Sequence, residues 1–409
     1  MSSVTITFMN HINKPPSFLR FGLFLLLAVS VGCAARHGAN LASNAPSPGL
    51  TPTPFVISDA PADTPTMTLP TATQTPTSIP KHRSSRPVTV AFVGDILMGG
   101  SALPKLKKYG PDSFFVNVKT LLSQADLCVG NLEGPLGNEG QIYVDKKYTF
   151  LTPPEAAQGL LNAGFKILTL ANNHAMDFGP DAMNSTLAAL DALGLKHAGE
   201  GQDETAARQS AVVEVADRRI AVLAYSLTYP SEFWAGVSKP GTAQGDGYDI
   251  RQDVAAARQA GADLVFVCIH WGQEGKTTLR GYQPSLAKVA LDAGADAVIG
   301  HHPHIWQALG VLHGKPVAYS LGNFVFGSYS AKVTRSGILY LTFDEDNHWT
   351  GGRVIPLNVH NGDVQFAPRP IAGVEGRKFA DHLSTLSKPQ GAKLRWDGKA
   401  VQWIAPQNN

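Results

Sequence analysis

The sequence is poor in cysteine and in charged residues. Of its 409 residues, three are cysteine and 16% are charged. Cys128 and Cys268 lie in the apolar runs "ADLCVG" and "LVFVCIHW". Two thiols in apolar segments of a chain this long are more often buried and free than bridged, so the sequence predicts no disulfide framework.

Excess positive charge is scarce beyond the first 87 residues. The formal net charge is +2, and residues 1–87 hold six basic residues against two acidic ones, which leaves the remainder close to neutral. Binding to nucleic acid requires a strongly basic patch or stripe, so no nucleic-acid partner is expected. Any affinity for an anion must come from local features.

The N-terminus holds an apolar run that is too short to cross a bilayer comfortably. The run "FGLFLLLAVSV" over 21–31 follows Lys14 and Arg20 and has the length of a signal-peptide core. It ends in "VGC" at Cys33, which resembles a bacterial lipoprotein signal, although Ser30 stands where leucine is usual. The resemblance implies lipidation of Cys33 and an extracytoplasmic, membrane-anchored protein. An uncleaved N-terminal anchor is the alternative.

The composition divides the chain into four segments. Residues 1–33 form the lipoprotein-type signal peptide, and residues 34–87 consist mainly of proline, threonine, serine and alanine. Such a segment has too little apolar surface to fold, so it is predicted to be a disordered tether. Residues 88–330 form the predicted core domain, and 331–409 a β-rich C-terminal extension that completes the second sheet.

From residue 88 onward, short apolar runs alternate with helical stretches. The runs are rich in valine, isoleucine and leucine, and they lie at 88–95, 126–133, 166–174, 263–272 and 296–304. Continuous apolar runs of this length are typical of strands buried on both faces. Within the chain, "NAGFKILTL", "QAGADLVFV" and "DAGADAVIG" each place Ala-Gly at a helix end before a strand. The repeated order of helix, glycine stop and strand predicts an α/β protein.

Polar side chains follow each of the five runs. They are Asp95, Glu133, Asn173 with His174, His270, and His302 with His304. Because ligands of layered α/β folds bind at the carboxyl ends of strands, we expect these side chains to gather at one edge. Their mixture of oxygen and nitrogen atoms suits Mn, Fe or Zn better than Ca or Mg. A carboxylate that bridges two cations would allow a two-metal centre.

Each of these residues also has a structural interpretation when it is taken alone. Asp95 is placed to form a turn, Glu133 to cap a helix, and His270 to lie in the core. The prediction of a metal site therefore depends on their joint arrangement at successive strand ends.

Six sequence motifs in these segments resemble those of one protein family. The motifs are "GDILMGG", "GNLEGPLG", "LANNHAMDFG", "IHWGQE", "GHHPHIWQ" and "YSLGNFVF". Together they resemble the CapA/PgsA family of bacterial capsule synthesis and poly-γ-glutamate biosynthesis proteins, a branch of the calcineurin-like metallophosphoesterases, over roughly residues 88–330. The resemblance implies a layered αββα sandwich, that is, two mixed sheets flanked by helices, with one or two divalent ions.

The resemblance also implies a role for individual residues. Asp95 and His304 would bind the first metal, Glu133 would bridge, and Asn173, His270 and His302 would bind the second. His174 would give a proton to the leaving oxygen, oriented by Asp177, which would be its helical neighbour if "NHAMDFG" opens a helix. His301 is expected to support the ligands rather than to bind a metal itself.

The sequence departs from the superfamily at Leu97, where an Asp-x-His motif would place histidine. The resemblance then implies a weaker second ion or a mononuclear site. Lys146 and Lys147 are candidates to bind an anionic substrate, although a solvated surface pair is the simpler interpretation. Asn323 is a candidate polar group at the rim, or a turn former.

Two functions fit this set of residues. The first is metal-dependent hydrolysis of a phosphate ester, with His174 kept protonated by Asp177. The second is a non-catalytic accessory subunit of a polyglutamate synthase or export complex that handles an anionic polymer. A purely structural surface lipoprotein would need neither His174 nor Asp177.

Overall fold

A computed structural model describes residues 84–407 of the chain. The signal segment with Cys33, and the tether as far as residue 83, lie outside the described residues, so the expectations for them stay predictions. Within residues 84–407, no helix has both the length and the apolar character needed to cross a membrane.

Strands and helices alternate through the first two thirds of the domain, and strands dominate the last third. The strands are β1 (Val88–Leu97), β2 (Leu127–Leu132), β3 (Ile167–Thr169), β4 (Lys196–Ala198), β5 (Glu200–Gly201), β6 (Ala211–Val215), β7 (Arg218–Ser226), β8 (Gly241–Thr242), β9 (Leu264–His270), β10 (Ala297–His301), β11 (Leu309–Leu312), β12 (Lys315–Ala318), β13 (Asn323–Phe326), β14 (Arg335–Phe343), β15 (Trp349–Asn358), β16 (Arg369–Pro370), β17 (Lys393–Trp396) and β18 (Val401–Ile404). The α-helices are α1 (Leu103–Tyr109), α2 (Lys119–Leu122), α3 (Ala156–Ala163), α4 (Gly179–Ala192), α5 (Glu204–Ala207), α6 (Gly247–Gln259), α7 (Tyr282–Asp292), α8 (Asn361–Val364) and α9 (Gly373–Ser387).

Most strands belong to two mixed sheets. The larger has ten strands in the order β17-β18-β15-β14-β1-β2-β3-β4, with β13 also paired to β1 and β16 to β15. Strands β1 to β4 run parallel, whereas β14 is antiparallel to β1. The smaller sheet has the order β11-β12-β10-β9-β7-β6, and its two edge strands are antiparallel to their neighbours. The C-terminal strands thus extend the sheet that β1 begins.

Apolar side chains form three layers of core around these sheets. Phe92 of β1 meets Phe266 of β9 edge to face between the sheets, at 5.3 Å between ring centres. Burying a side chain of this size contributes roughly 1.5–3 kcal/mol. Helices α1 to α4 cover the outer face of the larger sheet, and α6 and α7 cover that of the smaller one. The predicted αββα sandwich is confirmed, and Cys128 and Cys268 are confirmed as free and buried.

The five apolar runs do form strands, but they do not share one sheet. Runs 88–95, 126–133 and 166–174 form β1, β2 and β3 of the larger sheet, and the other two form β9 and β10 of the smaller sheet. The expectation of a single edge was therefore wrong. The polar residues gather where the carboxyl ends of two stacked sheets meet, which the sequence pattern does not distinguish from one sheet.

A close backbone approach brings β13 beside the end of β1. A Cβ built on Gly94 would lie 1.8 Å from the carbonyl oxygen of Gly322, so a side chain at Gly94 would clash with backbone. The Asp95 amide donates to the same carbonyl at 2.9 Å. This contact sets the register in which Asp95 lies opposite Asn323.

Candidate metal centre

Asp95 lies at the centre of the site and is fully buried. It stands opposite Asn131 of β2 and Asn323 of β13. Its Oδ1 accepts a hydrogen bond from Asn131 Nδ2 at 2.9 Å, and its Oδ2 lies 3.2 Å from His304 Nδ1. Strand register therefore places Asn131 against Oδ1, whereas Oδ2 is contacted by His304 from the loop after β10.

The loop after β10 delivers His302 and His304 from the smaller sheet. Both residues have positive φ, 96° for His302 and 60° for His304. Non-glycine residues in this region cost about 1–3 kcal/mol and are concentrated at functional sites. His304 Nδ1 donates to Asn323 Oδ1 at 2.8 Å, and its Nε2 lies 3.6 Å from Glu133 Oε1. Asn323, a candidate for substrate binding, thus holds His304.

Glu133 carries the observation that points to a cation. Its side chain is fully buried, and neither carboxyl oxygen has a hydrogen-bond partner among the described residues. A buried polar atom without a partner costs about 1–3 kcal/mol, more when it is charged. Ligand atoms of Asp95, Glu133 and His304 lie within 4.8 Å of one another. The donor set and the unpartnered oxygens fit a divalent cation that accepts oxygen and imidazole ligands.

Burial and mutual charge perturb all three groups. Burial lowers the pKa of His304, but the carboxylates of Glu133 and Asp95 outweigh it and raise that pKa to about 10. Burial, then the nearby Asp95, raises the pKa of Glu133 well above its ordinary value. For Asp95, burial acts upward, but the hydrogen bond from His304 and the charges of its neighbours keep the pKa below its ordinary value. A cation binds imidazole in its deprotonated form, so a bound cation would displace the proton of His304.

The predicted ligands of a second ion also come together, although two of them bind each other. His270 Nε2 lies 2.8 Å from Asn173 Oδ1, and the His270 and His302 rings are 4.8 Å apart. Burial, then the neighbouring histidines, lowers the pKa of His270 well below its ordinary value and that of His302 to about 3. Both imidazoles are therefore neutral, the form that binds metals. His302 Nδ1 has no partner within residues 84–407.

His301 lies beneath the ligands rather than among them. Its buried Nε2 donates to the Val93 carbonyl oxygen at 3.2 Å, two residues before Asp95. Its predicted role in supporting the metal ligands stays a prediction. The roles of the other histidines as ligands stay predictions.

Glu274 is a candidate ligand that the sequence did not single out. Ligand atoms of Glu274, His302 and His304 lie within 4.8 Å of one another, so His304 belongs to both acidic groups. Glu274 is exposed and lies in the motif "IHWGQE", four residues beyond the end of β9. An exposed acid outside a strand end carried no signal in the strand pattern.

His174 is oriented by Asp177, as the sequence predicted, but through turns rather than a helix. Helix α4 begins only at Gly179. His174 Nδ1 lies 2.8 Å from Asp177 Oδ2, and because a carboxylate only accepts, Nδ1 carries the hydrogen. Burial nevertheless lowers the pKa of His174, against the raising effect of Asp177. The expectation that Asp177 keeps His174 protonated is therefore not supported.

Lys146 is part of the same cluster. Its side chain is 18% exposed, and its ammonium lies 2.5 Å from Asp177 Oδ1 and also donates to the Asn173 carbonyl. Lys147 is exposed, and its ammonium lies 4.9 Å from the centre of the Tyr148 ring. The interpretation of the two lysines as a solvated pair was wrong for Lys146, which positions Asp177.

This contrast gives a matched test of stability. Lys146→Met should lower the free energy of unfolding by about 1–3 kcal/mol, because the buried Asp177 loses a charged partner. Lys147→Met should change it by less than about 0.5 kcal/mol, as exposed substitutions do. Urea denaturation of the two full-length variants beside the wild type measures both. Equal stability of the two variants would contradict the positioning role.

Two asparagines that the sequence analysis passed over hold the site together. Asn131 Nδ2 binds Asp95, and Asn131 Oδ1 accepts from Thr169 and Asn172. Asn172 Oδ1 also accepts a hydrogen bond from the backbone amide of His174 at 3.0 Å. Asn131 stands in "GNLE" and Asn172 in "LANNH", beside residues chosen as ligands, but their partners follow from strand register.

The geometry is that of a polar centre between two sheets, and comparison with known proteins assigns the chain to a family. A family model described as bacterial capsule synthesis protein PGA_cap matches residues 89–328. The chain belongs to this family. The resemblance drawn from the motifs is confirmed, and the match spans strands β1 to β13 with every candidate ligand.

Relatives of this chain occur in Bacillus anthracis and Mycobacterium tuberculosis. It is 31% identical over 318 residues to "Capsule biosynthesis protein CapA" of Bacillus anthracis, covering 76% of each chain. It is 31% identical over 263 residues to "Probable polyglutamine synthesis accessory protein" of Mycobacterium tuberculosis, covering 59% of this chain and 68% of that one. The NAD nucleotidase structure of Haemophilus influenzae aligns with a TM-score of 0.41 at 12% identity, over 73% of this chain and 56% of that one.

Proposed function

We propose that this CapA-like protein of the PGA_cap family is a metal-dependent phosphoesterase that acts in capsule or poly-γ-glutamate biosynthesis. One observation carries the proposal. A single cavity is lined both by His304, which belongs to the candidate cation cluster, and by His174, which Asp177 orients. A cation site beside an oriented imidazole is the arrangement that hydrolysis of a phosphate ester requires.

Asp95, Glu133 and His304 would hold a divalent cation, with Glu274, His302, His270 and Asn173 available for a second. Their oxygen and nitrogen atoms suit Mn, Fe or Zn. Such a cation supplies Lewis-acid stabilisation of the charge on a phosphoryl oxygen.

The chain's own residues handle the proton. Because Asp177 fixes the hydrogen of His174 on Nδ1, Nε2 is the atom that would take up a second proton and give it to the departing oxygen. The Phe150 ring packs against the imidazole at 4.6 Å between ring centres and holds its orientation. Lys146 anchors Asp177 and the Asn173 carbonyl, so that one ammonium links the proton-handling pair to a candidate ligand.

The deciding experiment uses the full-length protein purified without chelator. Elemental analysis measures bound metal, and p-nitrophenyl phosphate and bis(p-nitrophenyl) phosphate measure hydrolysis. We expect Mn, Fe or Zn together with turnover of at least one substrate. Absence of bound or bindable metal would contradict the proposal.

A non-catalytic accessory subunit is the second candidate. Leu97 is buried and apolar at the position where the superfamily motif has histidine, so the ligand set is one imidazole short. The Mycobacterium tuberculosis relative is named as a synthesis accessory protein, which supports association with a polymer-synthesis machinery. Bound metal without turnover of either substrate would favour this role, with an anionic polymer as ligand.

We also propose that the protein works outside the cytoplasm, anchored to the membrane through Cys33 or an uncleaved N-terminal segment. The run over 21–31 followed by "VGC" supports this. Fractionation of wild-type cells and of cells carrying Cys33→Ala tests it. Recovery of the wild type in the soluble cytoplasmic fraction would contradict the anchor.

A further inference from the structure

Two cavities open on the candidate metal centre and meet at Glu274, which lines both. The first cavity measures about 550 Å³ and includes Asn173 and His302. The second cavity measures about 390 Å³ and includes His174 and His304. Residues of the candidate centre therefore line both cavities.

The two cavities offer similar recognition chemistry. The first is lined by Tyr229, Arg280 and Tyr282, and the second by Tyr148, Tyr329 and Lys332. Within residues 84–407, no acidic side chain forms an ion pair with Arg280 or Lys332; Arg280 donates to Gln273. Each cavity thus combines aromatic surface that can contact an organic group with a basic side chain that attracts an anionic phosphate.

We propose that the substrate is a phosphodiester whose two organic groups occupy the two cavities; this rests on the proposed phosphoesterase function. A phosphomonoester carries one organic group and would leave one cavity empty. Because His174 lines the second cavity, the departing alcohol lies there and takes a proton from His174 Nε2, which must first gain that proton because the neutral ring holds its hydrogen on Nδ1. Water supplies the oxygen that replaces it at phosphorus and releases a proton that balances the one given to the alcohol, so the phosphomonoester product keeps its organic group in the first cavity.

Two exposed tyrosines report on the cavities separately. Tyr229 is 77% exposed and Tyr329 is 64% exposed, so truncation of either ring removes contact surface without opening a hole in the core. Tyr248 on α6 is 69% exposed and lies outside the residues that line either cavity, which makes it a matched control.

The test compares kcat/KM of the metal-loaded full-length protein on bis(p-nitrophenyl) phosphate and on p-nitrophenyl phosphate. Tyr229→Ala should lower the value for the diester about five- to tenfold and leave that for the monoester within twofold. Tyr329→Ala should lower both values, because both substrates place their departing group in the second cavity. Tyr248→Ala should change neither by more than twofold.

Two results would overturn the inference while leaving the phosphoesterase function in place. One is an equal loss on both substrates in Tyr229→Ala, and the other is an unchanged diester rate in that variant. If the metal-loaded wild type hydrolyses neither substrate, the proposed function itself fails, and this inference fails with it. That outcome is recognised in the wild type, before any variant is measured.

Discussion

Replacing Glu133 with glutamine is expected to weaken binding of a divalent cation by about 100-fold or more, and to lower hydrolysis by a similar or larger factor. Glu133 offers two buried carboxyl oxygens that have no hydrogen-bond partner among the described residues. Glutamine keeps the shape of the side chain but removes the carboxylate that a cation would bind. Titration calorimetry with Mn²⁺ measures the affinity, and hydrolysis of the nitrophenyl esters measures the rate.

Thermal unfolding separates loss of metal from loss of fold in Glu133→Gln. A ligand at a hundred times its Kd stabilises the folded state by about 2.7 kcal/mol, so Mn²⁺ should raise the Tm of the wild type and not that of the variant. Without metal, the variant should have a Tm no higher than that of the wild type, because its amide is buried in the same place and His304 loses the carboxylate beside it. Glu139→Gln changes an exposed acid six positions further along the chain, and this variant should bind metal normally. Normal metal content in Glu133→Gln would rule out a cation at this carboxylate.

Replacing His174 with alanine is expected to lower kcat by about 10²–10⁴-fold while leaving metal content unchanged. His174 is 6% exposed, lines the second cavity, and is tied to Asp177 at 2.8 Å through Nδ1. Its loss removes the group that exchanges a proton with the departing oxygen, without removing a predicted ligand. Steady-state kinetics beside elemental analysis measure both quantities.

Two further variants serve as comparisons for the kcat of His174→Ala. Asp177→Asn keeps the imidazole but weakens its orientation, so its kcat should lie between those of the wild type and His174→Ala. His197 lies on β4, outside the candidate site, and its Nε2 is 3.2 Å from Asp191 Oδ1. His197→Ala should therefore leave kcat within twofold. An active wild type together with full activity in His174→Ala would exclude His174 as the proton donor and leave the metal centre to act with another acid.

The pattern of apolar runs predicted the elements of the core domain better than their assembly. Val88, Val90 and Phe92 point between the sheets, whereas Ala91 and Val93 point toward the helices, which is why β1 reads as a continuous apolar run. That run looks the same in one sheet or in two. The partition of β1, β2 and β3 from β9 and β10 depends on long-range pairing, which local periodicity does not encode.

The sequence likewise identified some residues of the candidate site but not the contacts that hold them in place. Residues at strand ends, such as Asp95 and His270, could be named because strand ends are visible in the sequence. Asn131 and Lys146 could not be assigned their contacts, because those depend on register and on a loop packing across the site. Glu274 was missed for a related reason, since only the fold of its loop brings it to His302 and His304.

The candidate cation cluster lies between the two sheets, so a bound cation would also connect them. Asp95 and Glu133 come from the larger sheet and His304 from the smaller one, so a cation held by these three residues would link the two sheets. The distances between the ligand atoms would then depend on how the two sheets are stacked. If a cation is bound, packing between Phe92 and Phe266 in the core should influence its affinity, because that contact lies between the same two sheets.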